Sequence, residues 1–297
     1  MELVITSKKK ISSQKLIVIL AVVLMVGFYS VFFFWPIIYA FIGSLANWNP
    51  LKNTFDFIGI ENYKTLFSSK LFYKSLLNTL YFVAVVVTCR VVLGFIIALG
   101  LNSINKFKGL LRGLYFLPVI MPIVAVALVW KWLYDPNIGL FQTILSAFGI
   151  TDVKFLFDEK LALPSVMLMT IWKDIGYAVI IFLAGLMDVS KTILEAAKID
   201  GANALQTLLH IIIPSVKSTI IFVLITSMIS YFQSFTQIFI MTKGGPGTAT
   251  HVLMYLIYGE AFKNYRFGYA SSITFVLFAI ILVITFIQFK VLKGGER

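Results

Sequence analysis

The stretch LIVILAVVLMVGFYSVFFFWPIIYAFI, residues Leu16–Ile42, decides the class of fold because it contains no charged side chain. The hydrocarbon core of a membrane is about 30 Å thick, and a helix needs roughly 20 apolar residues to cross it. Lys8-Lys9-Lys10 and Lys15 precede the stretch, as they would in a cleaved signal peptide. However, the apolar part of a signal peptide is only about 7–15 residues long, and no cleavage site of small residues follows here. We therefore predict a first span that is not removed.

The rest of the chain repeats this apolar pattern. Hydrophobic residues make up 60% of the sequence, charged residues only 13%, and the mean hydropathy is +0.94. A water-soluble protein needs a more polar surface than this composition supplies. The sequence therefore predicts an all-α polytopic membrane protein with six transmembrane helices, at Leu16–Ile42, Leu76–Leu101, Leu110–Leu133, Leu161–Met187, Val216–Met241 and Phe267–Leu292.

The net charge of +12 is distributed as in a membrane protein rather than a nucleic-acid-binding protein. Lys and Arg concentrate in the connections between apolar stretches, where they act as topology signals and contact anionic lipid headgroups. The connection Asn102–Leu110 carries Lys106 and Lys108 and no acidic residue, whereas the connection Tyr134–Lys160 carries four acidic residues. Because cytoplasmic connections are enriched in Lys and Arg, we expect both termini in the cytoplasm and Tyr134–Lys160 outside.

One cytoplasmic connection, Asp188–Ser215, is too polar to cross a membrane and long enough to have a structure of its own. Its first half is rich in helix formers and reaches Gly201, a residue type that commonly ends helices. Its second half has leucine and isoleucine at helical spacing between Leu205 and Ile212, and Pro214 then begins the next span. Two short helices joined at a glycine can dock into a groove of another protein. An amphipathic linker that lies on lipid headgroups has the same pattern.

The same connection resembles the EAA loop of permeases in binding-protein-dependent ABC importers. In that family Glu-Ala-Ala is followed after three residues by Gly, and after nine more residues by Ile-x-Leu-Pro. The matching positions here are Glu195, Ala196, Ala197, Gly201, Ile211 and Pro214, with Ile213 in place of the usual Leu. Leu183–Leu186, Thr242–Pro246 and Phe267–Ser271 also resemble this family, so the resemblance covers roughly residues 57–292. It is strongest with the sugar and glycerol-phosphate permeases of the maltose-transporter type.

The resemblance implies a type I ABC importer permease fold in a bacterial-type inner membrane. It implies a heterodimer with a second, homologous permease, two ATP-binding subunits and an extracytoplasmic solute-binding protein that delivers a sugar. In such a loop the residue at Glu195 faces basic residues of the ATPase, and Gly201 forms the turn. Asp200 belongs to the same ATPase-coupling loop. The chain contains no Gly-x-x-x-x-Gly-Lys-Ser/Thr segment to bind nucleotide phosphates. We therefore expect a chain without catalytic activity or cofactor, with ATP and Mg bound by the ATPase subunits.

A polar stripe in the fifth predicted span is the candidate substrate pathway. Its members recur at steps of three and four residues, which places them on one helix face: Ser227, Ser230, Tyr231, Ser234 and Gln237. In the maltose-type permeases, polar residues of this stretch contact sugar, and the resemblance transfers this role to the first four members. Trp172 and Tyr177 are candidate aromatic partners for a sugar ring. Small hydroxyl side chains also serve helix packing, so both interpretations stay open.

Three charged residues lie deep inside predicted spans rather than near their ends. Arg90 lies near the middle of the second span, and Lys173 and Asp174 lie in the fourth. A charge that faces lipid costs on the order of 3 kcal/mol, so Arg90 should face the bundle interior or a wet cavity. A satisfied internal pair is the simpler interpretation of these charges, and proton coupling or substrate contact is the alternative.

The predicted organisation is a tail at residues 1–15, a permease domain at 16–292 with its core from about 70, a coupling loop at 188–215, and a tail at 293–297. His210, His251 and Cys89 are isolated in the sequence, so we expect no metal site. A secondary transporter that acts alone would be favoured by acidic residues in several spans and by inverted repeats, but Asp174 is the only acid in a predicted span. Glycerol phosphate or another polyol remains an alternative to a sugar as substrate.

Overall fold

The computed structural model of the protein describes residues 13–104 and 107–293. Residues 1–12 and 294–297 of the predicted tails, and Lys106, lie outside the described residues. The described elements are α1 (Ser13–Tyr29), α2 (Trp35–Ser44), β1 (Ala46–Asn49), β2 (Thr54–Phe57), α3 (Glu61–Ser68), α4 (Lys70–Ser103), α5 (Lys108–Ile120), α6 (Ile123–Leu133), α7 (Leu140–Ala147), α8 (Ala162–Met187), α9 (Lys191–Ile199), α10 (Ala204–Thr207), α11 (Ile213–Ser215), α12 (Lys217–Phe232), α13 (Thr236–Met241), α14 (Leu253–Tyr258) and α15 (Phe267–Lys293).

The apolar stretch near the start of the chain forms one long helix. A π-helical turn at Ser30–Phe34 joins α1 to α2, so the helix continues to Ser44. Among the described residues, four helices are long and apolar enough to cross a membrane, and the number reaches six if each of two bent helix pairs counts as one span. The predicted all-α polytopic fold is confirmed.

The third predicted span, Leu110–Leu133, is wrong as a single straight helix. The structure breaks it into α5 and α6, whose axes differ in direction by 94°. Met121 has extended backbone angles at the break, φ −69° and ψ 138°. The cause is Pro122, because a proline ring clashes with a helical conformation of the residue before it and removes a backbone N–H.

The fifth predicted span, Val216–Met241, is also not one helix. α12 ends at Phe232, and the three residues Gln233–Phe235 separate it from α13. At its other end, the helical segment Ala204–Ser215 meets α12 at an angle of 67°. Pro214 therefore lies at the end of the coupling loop, and the next span begins at Lys217.

A small β-hairpin is an addition to the all-α prediction. β1 and β2 pair antiparallel, with Ala46 opposite Phe57 and Asn49 opposite Thr54. The hairpin packs on the start of α15, where the Trp48 and Phe267 ring centroids are 5.2 Å apart.

Buried side chains form two clusters along the helix bundle. At one end, which we call the loop end, the end of α4, the end of α8 and the start of α12 pack together through Leu101, Leu186 and Val216. At the opposite end, the start of α4 packs against the segment 252–256 and the start of α15. α2 and α15 run antiparallel, since Phe41 contacts Phe275 and Trp48 contacts Phe267. Both described ends of the chain, Ser13 and Lys293, therefore lie at the loop end.

Candidate functional site

The first half of the coupling loop is a helix that ends in a glycine turn. α9 carries Glu195, Ala196 and Ala197. Gly201 has φ +75°, a left-handed conformation that costs a residue with a Cβ atom about 1–2 kcal/mol. Its N–H donates to the Lys198 oxygen at 3.2 Å, and the Ala202 N–H donates to the Ala197 oxygen at 2.9 Å. This pair of hydrogen bonds is the Schellman motif that closes a helix at a left-handed residue, so the predicted role of Gly201 as a turn is confirmed.

The second half of the loop begins at a capping box that the sequence reasoning missed. The Asn203 side chain accepts from the Gln206 N–H at 2.9 Å, and the Gln206 side chain accepts from the Asn203 N–H at 2.8 Å. These reciprocal bonds satisfy backbone donors that a helix N-terminus leaves open. The Asn-x-x-Gln spacing was visible in the sequence and is a known helix-start signal.

The loop presents an apolar surface without a partner inside the described chain. Ile199 is 87% exposed and Leu205 is 63% exposed. Glu195, Ala196, Asp200, Gly201 and Pro214 are also exposed, whereas Ala197 is buried and Ile211 is half-buried. Exposed apolar side chains next to charged ones are typical of a surface that binds another protein.

The second candidate region lies where α4, α8 and α12 pack. Gly94 lets α4 approach α8 closely, since a Cβ atom there would lie 2.9 Å from the Cβ atom of Ala178. Gly176 plays the same role between α8 and α5, because a Cβ atom there would overlap the backbone oxygen of Tyr115. The close packing brings polar side chains of α4, α8 and α12 into contact.

A chain of polar contacts links α4, α8 and α12 inside the bundle. The Arg90 guanidinium donates to the Tyr231 hydroxyl at 3.2 Å, and that hydroxyl donates to Asp174 Oδ2 at 3.2 Å. The Lys173 ammonium lies 3.2 Å from Asp174 Oδ1 and 3.3 Å from the backbone oxygen of Val119. The structure therefore confirms an internal pair for Lys173 and Asp174, and it adds a tyrosine bridge between Asp174 and Arg90.

The polar contacts line two adjoining clefts. One, of about 250 Å³, is lined by Arg90, Val119, Asp174, Tyr177, Thr226, Ser230 and Tyr231. The other, of about 230 Å³, is lined by Ile123, Lys173, Asp174, Ser230, Tyr231, Gln233, Ser234, Phe235, Thr236 and Gln237. Hydroxyl, amide and aromatic groups thus converge on one region, as in sites that bind polar small molecules.

The structure brings together only part of the predicted polar stripe. Ser230, Tyr231 and Tyr177 line the clefts, and so do Ser234 and Gln237, although the break after Phe232 removes these two from the helix face of the others. Ser227 is 0% exposed and its hydroxyl donates to the Val223 oxygen. The single continuous stripe of the sequence interpretation is therefore wrong, because α12 ends before Ser234 and Gln237.

Trp172 lies in another environment. Its ring centroid is 5.4 Å from that of Trp130 on α6, and the grooves it lines are formed mainly by apolar residues of α5 and α6. In the described structure Trp172 does not line either polar cleft. The sequence reasoning missed Thr226, Gln233 and Thr236 as lining residues, although Thr226 lies one helical turn before Ser230 and its spacing was a usable signal.

A larger concave surface lies at the end of the bundle opposite the loop. It has a volume of about 580 Å³ and is lined by Glu61, Lys64, Thr65, Ser68, Ser69, Leu71, Leu256, Glu260, Arg266 and Tyr269. Arg266 Nε donates to Glu260 Oε2 at 2.8 Å, so a buried carboxylate there has an ionic partner. The surface combines charges of both signs.

Hydrogen bonds join the segment 242–252 to α4 beside this surface. The Asn78 amide donates to the backbone oxygens of Thr248 and His251 at 3.0 and 2.9 Å. The Ser75 hydroxyl lies 3.1 Å from Nδ1 of His251. Burial, reinforced by the positive charge of Lys263 and opposed by Glu260, lowers the pKa of the His251 imidazole below its ordinary 6.5.

Comparison with known proteins matches residues 90–293 to the family described as the binding-protein-dependent transport system inner membrane component. The chain is 35% identical over 271 residues to the multiple sugar-binding transport system permease protein MsmF of Streptococcus mutans, covering 90% of this chain and 91% of that protein. It is 31% identical to the probable ABC transporter permease protein YurN of Bacillus subtilis, covering 86% and 88% of the two chains.

Two further comparisons concern a permease whose name refers to glycerol phosphate and a solved structure with a similar fold. The chain is 28% identical over 269 residues to the sn-glycerol-3-phosphate transport system permease protein UgpA of Yersinia pestis, covering 90% of this chain and 91% of that protein. A chain in the crystal structure of a bacterial ABC transporter involved in the import of the acidic polysaccharide alginate superposes with a TM-score of 0.82 at 21% identity, covering 96% and 97% of the two chains. Because the two sequences are only 21% identical, this similarity shows that the two chains share a fold.

Proposed function

The chain belongs to the family of binding-protein-dependent transport system inner membrane components, and on that premise we propose that it conducts a sugar as the permease subunit of an ATP-driven ABC importer. Proteins of this family are the non-catalytic membrane components of ABC transporters. The chain is therefore a multi-pass membrane permease and not an enzyme. A secondary transporter that acts alone is not favoured.

The polar clefts support a sugar as the solute. Sugars are recognised by hydroxyl and amide partners and by aromatic faces, and the clefts supply Ser230, Ser234, Gln233 and the rings of Tyr177 and Tyr231. The names of two relatives refer to sugars, MsmF and the diacetylchitobiose uptake system permease protein NgcF of Streptomyces coelicolor, which is 30% identical over 271 residues. The similarity to UgpA keeps glycerol phosphate as the alternative substrate.

The structure of the coupling loop is the main support for this proposal. A rigid helical projection with exposed apolar side chains and Glu195 fits a groove of a separate ATPase subunit, which would bind ATP and Mg. Movement of that subunit would then reach α12 through the continuous helical segment Ala204–Ser215. Because the loop and both described chain ends lie at one end of the bundle, we place both termini in the cytoplasm with the ATPases.

The remaining partners follow from the same arrangement. An extracytoplasmic binding protein would dock at the end opposite the loop, where the 580 Å³ surface lies. The most apolar part of Ile17–Ser44 has 0% of its residues buried, so its surface is available to lipid and to a second, homologous permease. Two ATP-binding subunits would serve the two permeases.

Charge reversal at Glu195 tests the proposal. We expect Glu195→Lys to abolish ATP-driven uptake of labelled oligosaccharide into proteoliposomes, because it removes the acidic contact to the ATPase. Copurification of the ATPase subunit should fall at least tenfold while membrane insertion is retained. The matched control Glu159→Lys reverses an exposed acidic residue at the opposite end and should leave this copurification unchanged. Normal uptake and copurification in Glu195→Lys would contradict the proposal.

A further inference from the structure

Arg90 is a buried cation held between two aromatic rings. The residue is 6% exposed. Its guanidinium carbon lies 4.9 Å from the Tyr177 ring centroid and 5.4 Å from the Tyr231 ring centroid. Cation–π contacts of this kind orient a guanidinium but leave its full positive charge in place. The polar contact of its Nη1 atom is with a neutral hydroxyl, that of Tyr231.

The charges around Arg90 do not cancel within the described chain. Asp174 is paired with Lys173 at 3.2 Å, so these two charges neutralise each other. Among the described residues, no carboxylate oxygen lies within salt-bridge distance of the Arg90 guanidinium, since the ion pairs of that part of the chain involve other cations. The Arg90 Nε atom is buried and has no hydrogen-bond partner there.

An unpaired cation inside a membrane protein needs a functional explanation. Charges at this depth are expensive and mark solute or ion pathways when they are retained. Proton transfer does not explain Arg90, because a guanidinium stays protonated in proteins. Packing does not explain it either, since an uncharged side chain would fill the same space without an unpaired charge.

The position and geometry of Arg90 point to a ligand. The guanidinium lines the 250 Å³ cleft beside Ser230 and Thr226. Its planar fork of N–H donors matches the two oxygens of a carboxylate or phosphate better than any other side chain does. We propose that Arg90 is a specificity residue that makes this permease prefer solutes with an anionic group, such as a sugar acid or a sugar phosphate, over their neutral counterparts. This inference rests on the proposed function, because it concerns the solute of the same cleft.

The test uses matched pairs of labelled solutes and the complete importer with its binding protein in proteoliposomes. The pairs are digalacturonate with its uncharged dimethyl ester, glucuronate with glucose, and glycerol 3-phosphate with glycerol. We expect ATP-driven uptake of at least one anionic member at a rate at least tenfold above that of its neutral counterpart. Arg90→Gln should reduce that ratio at least tenfold, and Arg90→Lys should retain part of it. The control Arg112→Gln removes an arginine of α5 that lines neither cleft and should keep the wild-type ratio.

Three results would overturn the inference. ATP-driven uptake of a neutral sugar at or above the rate of its anionic counterpart, with the same ratio in Arg90→Gln, would disprove it and leave the proposed function standing. Uptake of no member of any pair would overturn the inference and leave the proposed function to the Glu195→Lys experiment with oligosaccharide. Loss of the second permease from the purified Arg90→Gln complex would show that Arg90 is a counter-ion to that subunit; we expect both permeases to copurify in wild-type proportion.

Discussion

Two serines three residues apart on α12 allow an experiment that distinguishes contact with the solute from helix packing. Ser230 is exposed and lines both clefts, whereas Ser227 is fully buried and its hydroxyl donates to the backbone of its own helix. We expect Ser230→Ala to raise the KM for uptake several-fold, because one hydroxyl contact of about 1 kcal/mol corresponds to roughly fivefold in affinity. Ser227→Ala is the matched control and should leave the KM within twofold of wild type. The measurement is the initial rate of ATP-driven uptake against solute concentration.

The reverse result would favour packing. If Ser227→Ala changed the uptake kinetics and Ser230→Ala did not, the serines would serve the contact between helices, and the cleft would not be the solute pathway.

The stability of the folded protein should depend on pH through His251, which lies at the end of the bundle opposite the loop. Because burial lowers the pKa of its imidazole below 6.5, the folded protein binds fewer protons there than the unfolded chain does. The contribution of neutral His251 to stability is complete above pH 6.5 and is lost as the pH falls below that value. We expect the melting temperature of the purified permease to fall between pH 7 and pH 5, and His251→Gln to weaken this fall.

His210 supplies the comparison, because it is exposed on the coupling loop. His210→Gln should keep the wild-type pH dependence of the melting temperature. Identical pH profiles for wild type and His251→Gln would show that the environment of His251 is not the cause.

Sequence reasoning at the residue scale found candidates but not their partners. The spacing of Ser230 and Tyr231 and the family resemblance placed both on the pathway, and the structure puts both at the clefts. The contact between Arg90 and Tyr231 joins residues 141 positions apart. Spacing along one helix carries no information about such a contact, which depends on how α4 and α12 pack.

At the scale of elements, the close packing of α5 against α8 requires a residue without a side chain at Gly176. A Cβ atom at Gly176 would overlap the Tyr115 backbone oxygen, so the helices would have to separate. We expect Gly176→Ala to lower stability by about 1–3 kcal/mol, as overpacking does, and to reduce the heat-resistant monodisperse fraction in detergent. Gly113→Ala is the control, because a Cβ atom there meets nothing within 4 Å. Equal heat resistance of the two variants would contradict the close contact.

The sequence predicted where the apolar spans lie better than it predicted the bends and breaks within them. Hydropathy located each apolar stretch because the membrane requires a minimum length of apolar helix. The bend between α5 and α6 had a signal in Pro122, since the residue before a proline avoids helical angles. The break at Gln233–Phe235 contains neither glycine nor proline, so tertiary packing rather than local sequence sets it.

At the scale of the molecule, the coupling loop and the polar clefts occupy different levels of one bundle. The loop lies where α8 ends and α12 begins, and Asp174 and Tyr231 lie further along the same two helices. A movement imposed on the loop would therefore act on the helices that form the clefts. This arrangement would link a separate ATPase to the passage of a solute.

Crosslinking from Leu205 tests whether the coupling loop contacts the ATP-binding subunit. The sequence has one cysteine, so a Cys89→Ser background allows a single new thiol at Leu205→Cys, an exposed position on the loop. In native membranes with the complete importer, we predict a crosslink between this thiol and the ATP-binding subunit. Phe148→Cys, at the opposite end, should instead react with a membrane-impermeant maleimide added outside the cell. External labelling of Leu205→Cys without a crosslink to an ATP-binding subunit would show that the loop is not the contact to the ATPase.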